Sequence, residues 1–278
     1  MKPRVMSLVI FTCAVGLLTS NSNTNITDAM IGITLVALGA GAAGCLNMWY
    51  EADLDALMTR TCLRPIPTGK INKQQALIFG IFLTVFSVGA LNYFANTLSA
   101  TLLLFTILFY LFVYTIWLKR ITPQNIVIGG VAGSLPPVIG WTIATNSISM
   151  VSISLFLIIF LWTPSHFWAL SLYKADDYKK ANIPMMPLTN GVEKTKIYIF
   201  IYSLLMLPVI ILPYAINFSG LIYLIPAMML TIYYNFICYD LYKHKKNKFV
   251  LKKAKKVFGY SILYLFLIFV LFLIDNLI

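Results

Sequence analysis

The chain has 278 residues, of which 60% are hydrophobic and 11% charged, and its mean hydropathy is +0.84. Apolar surface on that scale exceeds what a soluble core can hide, so the solvent for most of the chain is lipid. A formal charge of +12 raises nucleic acid as a partner, but the basic residues sit in short loops between apolar runs rather than across a soluble surface. No nucleic acid is therefore expected. Cys13, Cys45 and Cys238 fall in or at the ends of apolar runs and Cys62 in a basic loop, which gives no disulfide framework.

Residues 1–4 form a charged stub ahead of an apolar run, with no small-residue cleavage site before a mature soluble domain, so the stub reads as the start of a retained first span. A spanning helix needs about 20 mainly apolar residues. Runs of that kind occur at 5–20, 29–50, 76–94, 99–118, 126–144, 151–172, 197–216, 221–239 and 257–278. The expected architecture is all-α: a polytopic bundle of nine transmembrane helices forming one domain over 1–278. Gly39, Gly41 and Gly44 in the second run and Pro136 and Pro137 in the fifth are tolerable where neighbouring helices satisfy the freed backbone.

The loops fix an orientation, because Lys and Arg accumulate on the cytoplasmic side. Lys2 and Arg4 precede span one, Arg60, Arg64, Lys70 and Lys73 follow span two, and Lys119 and Arg120 follow span four. Lys174, Lys179, Lys180, Lys194 and Lys196 follow span six, and eight lysines from Lys243 to Lys256 follow span eight. The connections on the other side carry no Lys or Arg, which places the N-terminus in the cytoplasm, in a bacterial inner membrane. The run from Lys243 to Lys256 reads as a topology signal or a contact with anionic lipid, and His244 within it as a solvated side chain.

Five of the nine acidic residues gather in two connections on the basic side: Glu51, Asp53 and Asp55, then Asp176 and Asp177. If span two continues as helix past Tyr50, Asn47, Glu51 and Asp55 lie at i, i+4 and i+8 along one stripe. Carboxylates at that depth each need a cation or a proton. Sparse hard-oxygen ligands are what Mg²⁺ uses when water and substrate phosphate complete its shell. The competing reading is that these acids only pair with nearby Arg and Lys. Arg60, Arg64, Lys119, Arg120 and Lys174 share the membrane face and are suited to holding phosphate.

These residues carry a resemblance. The stretch from Asn47 through Trp49, Glu51, Asp53 and Asp55, followed by Thr59-Arg60-Thr61 and Arg64-Pro65, resembles the first aspartate-rich motif of the UbiA-type intramembrane prenyltransferases, in the form that farnesylates protoheme IX. Further agreement comes from Lys2-Pro3-Arg4, Lys119-Arg120-Ile121-Thr122-Pro123, Gly129-Gly130, Pro136-Pro137 with Gly140-Trp141, Trp162-Thr163-Pro164-Ser165-His166, Tyr173 with Asp176-Asp177-Tyr178, and Pro184-Met185-Met186-Pro187. The match runs from residue 2 to about residue 190, and the last three spans add topology only. Glu51 stands where the family usually has Asp, Ser165 where it has Pro before the histidine, and the second motif is condensed.

The resemblance implies a helical bundle around a lipid-accessible cavity, with Mg²⁺ as cofactor and with farnesyl diphosphate and heme b as substrates, yielding heme O for the heme A and terminal oxidase pathway. It also implies Asn47, Glu51, Asp55, Asp176 and Asp177 as catalytic, with Asn47, Glu51, Asp55 and Asp177 on the metal. Arg60, Arg64, Lys119, Arg120 and Lys174 would bind diphosphate, while Asp53, Thr61 and Tyr173 belong to the motifs. A downstream heme A synthase or oxidase assembly protein is the implied partner, besides membrane lipid. His166, the one histidine inside a span, is either a heme contact or a packing residue. Of Tyr110, Tyr114, Trp117, Trp162, Phe167 and Trp168, most are expected in packing or lipid-interface belts rather than in a pocket wall. Two other readings are a prenyltransferase for a quinone precursor and a secondary transporter, which would place its ionisable groups nearer the midplane.

Overall fold

Helix starts are set by side chains that satisfy the free N–H groups of the first turn. The Asn25 side chain accepts from Thr27, Asn72 and Gln75 form a capping box, Asn96 accepts from Ser99, and Ser149 and Ser152 form a second box. In a computed structural model that describes residues 3–20, 22 and 24–278, these caps open helices on both sides of a bundle. Lys2 of the expected first basic cluster and Asn21 and Asn23 of the first polar loop lie outside the described residues, as does the side chain of Arg4.

The elements in chain order are α1 (Pro3–Leu18), α2 (Ile26–Tyr50), α3 (Ala52–Leu57), α4 (Lys73–Phe94), α5 (Thr97–Leu108), α6 (Asn125–Ser134), α7 (Pro136–Thr145) and α8 (Met150–Tyr173). They continue with α9 (Ala175–Lys180), α10 (Met186–Thr189), α11 (Gly191–Ala215), α12 (Leu221–Lys243) and α13 (Asn247–Leu277). No strand occurs among the described residues. Eight of the expected spans are long and apolar enough to cross a membrane, and the first, apolar over Met6–Leu18, is shorter. The expected fifth span is two helices, α6 and α7. Pro136 has no N–H to continue α6, and the ladder restarts with Ile139 N donating to Leu135 O at 2.9 Å.

Two expectations on the basic side change. The lysines from Lys248 to Lys256 form the first turns of α13 rather than a loop, consistent with the high helix propensity of Lys and Ala. His244 is half-buried rather than solvated: its Nδ1 lies 2.7 Å from Asp240 O, and its own carbonyl accepts from the buried Lys196 at 2.7 Å.

Two apolar cores result. One gathers side chains of α1, α2, α5 and α7, and the other joins α8, α11, α12 and α13. Helices α1 and α7 touch backbone to backbone. A Cβ on Gly140 would fall 1.9 Å from Cys13 O, and one on Gly16 2.1 Å from Pro137 O, so only glycine permits this approach. The basic connections share one end of the bundle, where Thr59 donates to Asp177, Lys119 meets Glu51 and Lys196 reaches His244. At the opposite end Asn96 donates to Thr142 O at 2.7 Å and Asp275 accepts from Gly220 N at 2.6 Å.

Candidate active site

The acidic stripe survives a break in the helix. Regular α2 ends at Tyr50, yet Glu51 N donates to Asn47 O at 2.9 Å and Asp55 N to Glu51 O at 2.8 Å, so the i, i+4 succession runs on into α3. Asn47, Glu51 and Asp55 are all buried. Glu51 and Asp55 open on a cavity of about 870 Å³ between the two cores. One turn deeper, Asn47 Nδ2 donates to Thr115 Oγ1 at 2.9 Å.

Thr115 belongs to a nine-residue π-helical stretch, Phe109–Trp117, that continues α5, and its Oγ1 donates to Tyr110 O, five residues back, at 2.8 Å. Widened turns of this kind shift the register of the side chains that follow. Here the stretch stacks Tyr110 on Tyr114, with ring centroids 5.3 Å apart, on the cavity wall, and leads to Lys119. Gly129 on α6 makes room for Tyr114, because a Cβ there would lie 2.2 Å from its ring.

Each acid of the first cluster has a cationic partner. Lys119 Nζ lies 2.5 Å from Glu51 Oε1, and Arg64 Nη1 donates to both oxygens of Asp55 at 2.8 and 2.7 Å. Arg120 pairs with Asp53 at 3.1 Å outside the cavity, where both side chains are exposed. Burial acts to raise the Asp53 carboxyl, but the hydrogen bonds and charge of Arg120 and the local backbone outweigh it and hold Asp53 below its usual range. Arg60, Thr61 and Arg64 are on the wall with Lys119, and Arg60 has no ion pair among the described residues.

The second cluster divides. Asp177 is buried and accepts from Thr59 Oγ1 at 2.6 Å, which ties α9 to the turn bearing Arg60. Asp176 and Lys174 are exposed and do not line the cavity. Tyr173 receives Lys255, whose Nζ is 5.9 Å from the ring centroid. Next to Asp177, Tyr178 reaches the wall, and burial pushes its phenol above the usual value, so it stays a hydroxyl donor. Among the described residues no three His, Cys, Asp or Glu side chains converge as a metal cage, and the four expected metal residues divide two and two. Glu51 and Asp55 face the cavity, whereas Asn47 and Asp177 bond to threonines.

Away from this polar end the wall is apolar and aromatic. Tyr110, Tyr114, Trp162 and Phe167 line it, which corrects the expectation that most of the six aromatics serve packing or interface belts. That expectation holds for Trp117, which is exposed, and for Trp168, buried against Tyr198 and Tyr202. His166 also lies on the wall, between the rings of Trp162 (4.2 Å) and Phe258 (4.6 Å), with Nδ1 2.6 Å from Ser261 Oγ. Sequence reasoning quoted Thr59 and Tyr178 within motifs without a role for either, and missed Thr115, Ser261 and the whole contribution of α13, whose Gly259, Ile262 and Phe266 close one side. The site thus has two carboxylates and three cations at one end and a long apolar chamber beyond them, an arrangement that fits a substrate with an anionic head and a hydrocarbon tail.

Residues 8–262 match the UbiA prenyltransferase family. A relative from Pelagibacter ubique, a protoheme IX farnesyltransferase, is 76% identical over 99% of this chain and 91% of its own length. Among solved structures, one described as digeranylgeranylglyceryl phosphate synthase superposes with a TM-score of 0.82 at 19% identity, covering 99% of this chain and 94% of the other. A UbiA homolog from Archaeoglobus fulgidus bound to DMAPP and Mg²⁺ superposes with a TM-score of 0.66 at 16% identity, over 96% of this chain and 97% of its own.

Proposed function

The chain belongs to the UbiA prenyltransferase family, and from that premise we propose that it transfers the farnesyl group of farnesyl diphosphate, with addition of water, to a vinyl group of heme b, giving heme O and diphosphate. The observation that carries this reading is the 76% identity, over 99% of the chain, to a protoheme IX farnesyltransferase.

The diphosphate is bound at the polar end by Arg60, Arg64 and Lys119, which neutralise its charge as the allylic C–O bond breaks. Glu51 and Asp55 are buried hard-oxygen donors beside these cations. They fit Mg²⁺, an ion that takes few protein ligands and completes its shell with water and phosphate oxygens. When bound, Mg²⁺ supplies further stabilisation of the leaving diphosphate. Asn47, held by Thr115, sets the foot of the carboxylate stripe, and Asp177, through Thr59, fixes the turn that presents Arg60. The aromatic and aliphatic wall keeps water from the allylic cation until the terminal carbon of the heme vinyl group bonds to farnesyl C1. Water then adds to the carbon beside the porphyrin ring and loses its proton, leaving a hydroxyethylfarnesyl substituent.

The charge distribution supports a cytoplasmic active site in a bacterial inner membrane, and the product suits delivery to a heme A synthase or an oxidase assembly partner. Membranes containing the chain, supplied with heme b, farnesyl diphosphate and Mg²⁺, should form heme O. No product above that of membranes lacking the chain would refute the assignment.

A further inference from the structure

Hydrogen bonds from Trp162 and His166 of α8 converge on one residue of α13. Ser261 on α13 is fully buried; its carbonyl accepts from Trp162 Nε1 at 2.8 Å, and its Oγ contacts both Phe258 O at 2.7 Å and His166 Nδ1 at 2.6 Å. A serine hydroxyl has one proton. The Phe258 carbonyl can only accept, so the 2.7 Å contact is bonding only when Ser261 donates to it. Were the proton turned to His166 instead, two oxygen lone pairs would face each other at that separation. Ser261 Oγ is therefore the acceptor from His166, and Nδ1 carries hydrogen. No carboxylate forms an ion pair with His166 among the described residues, and its ring is stacked between Trp162 and Phe258 at membrane depth. A charged imidazolium there has nothing to offset its desolvation. A neutral ring in this arrangement carries its one proton on Nδ1.

We infer that Ser261 is a positioning residue that fixes the Nδ1–H tautomer of His166, so that Nε2 presents a lone pair to the cavity as the ligand for the iron of a metalloporphyrin substrate. This rests on the proposed heme acceptor and goes beyond it by naming the atom and the residue that prepares it. Metal-binding histidines generally donate their second N–H to a fixed partner, which sets both tautomer and ring orientation. The usual partner is a carboxylate or a backbone carbonyl. A serine that is itself pinned to a carbonyl does the same work without burying a charge.

The chain has two histidines, so a His244→Gln background leaves His166 as the only one. In lipid nanodiscs, ¹⁵N-histidine spectra of that protein should show a protonated Nδ1 and a bare Nε2. Ser261→Ala removes the acceptor, and the ring should move toward the Nε2–H form that free neutral imidazole prefers. Ser261→Thr keeps the hydroxyl and should restore the original spectrum. In parallel titrations, Ser261→Ala should weaken heme binding about tenfold or more and shift the Soret band, with Thr restoring both and a farnesyl diphosphate analogue binding as before. Retention of the Nδ1–H tautomer in Ser261→Ala overturns the role given to Ser261, and this arm uses no heme. A tautomer change with unaltered heme affinity and Soret band, in Ser261→Ala and in His166→Ala alike, overturns the iron contact and counts against the heme reading itself.

Discussion

Arg64 clasps Asp55 through a single nitrogen: Nη1 donates to both carboxylate oxygens, with Asp55 buried beneath it and Arg64 partly open to the cavity. The pair places an anion suited to Mg²⁺ and a cation suited to diphosphate at one point of the wall. Asp55→Ala removes the first and strands the second, and is expected to lower turnover about 10²- to 10³-fold, the scale of losing one fixed electrostatic contact, while the protein still inserts and purifies as a folded species. Asp177→Ala acts one step back, through Thr59, and should cost about 10- to 100-fold. Wild-type kcat in purified Asp55→Ala would remove that carboxylate from the chemistry.

Glu51 is paired with Lys119 at 2.5 Å and faces the same cavity. Glu51→Asp keeps the charge on an arm one methylene shorter and should stay active. Glu51→Gln keeps the shape but not the charge, and should be much the worse of the two. The comparison is a Mg²⁺ titration of heme O formation by the three proteins. Gln matching Glu across the whole titration would show that the negative charge has no part in metal use.

Asp53 stands in contrast, because its partner Arg120 and its own side chain are exposed outside the cavity. Its folded carboxyl lies below the usual value, so the pair's contribution to stability is present above the unfolded pKa, about 4, and is lost as pH falls through the folded one. For an exposed pair that contribution is below about 1 kcal/mol and is weakened by salt. Asp53→Asn is therefore expected to keep near-wild-type turnover and melting temperature at pH 7. A large loss of turnover would move Asp53 into the site.

The connections bearing Arg60, Lys119, Asp177 and His244 meet at one end of the bundle, while residues 145–149 belong to the other. In a background without native cysteines, Arg60→Cys and Lys174→Cys should resist an impermeant thiol reagent applied from outside the cell, and Ser147→Cys should react. Labelling of position 60 from outside would invert the architecture.

The first half of the site was legible because its signals are local. The spacing of Asn47, Glu51 and Asp55 needs only helical periodicity, and it survives the break at Glu51 because the hydrogen-bond succession does. Basic residues on one side of the runs marked the shared end without any tertiary information. Thr59 with Asp177, Asn47 with Thr115 and His166 with Ser261 lie 118, 68 and 95 residues apart, and each uses a residue type found at many neutral positions, so nothing in the sequence singles them out. The aromatic wall was hidden for a related reason. Tyr114 turns inward because a π-helical stretch alters its register and Gly129 leaves it space, whereas composition alone places such residues at the lipid interface. Helix α13 read as a plain span, since Gly259 and Ser261 differ from packing residues only in what they face.

The two ends of the cavity should separate in binding experiments. Gly259 lies on the wall two residues from Ser261, and a Cβ there would meet nothing within 4 Å, so Gly259→Leu adds bulk to open space rather than to a packed contact. Gly140→Ala, by contrast, drives a methyl into Cys13 O and should reduce the yield of folded protein, since backbone atoms cannot step aside as a side chain does. Heme is flat and rigid and cannot bend around the new leucine, while a farnesyl chain can rotate past it. Gly259→Leu should weaken heme binding about tenfold or more, roughly 1.4 kcal/mol, and leave a farnesyl diphosphate analogue nearly unaffected. Arg64→Ala should do the reverse by losing a phosphate contact. The deciding data are two titrations on each purified variant, one with heme followed at the Soret band and one with the analogue. Equal losses of both ligands in both variants would mean that the cavity has no separate donor and acceptor ends, and unchanged binding of both in Gly259→Leu would take Gly259 off the wall.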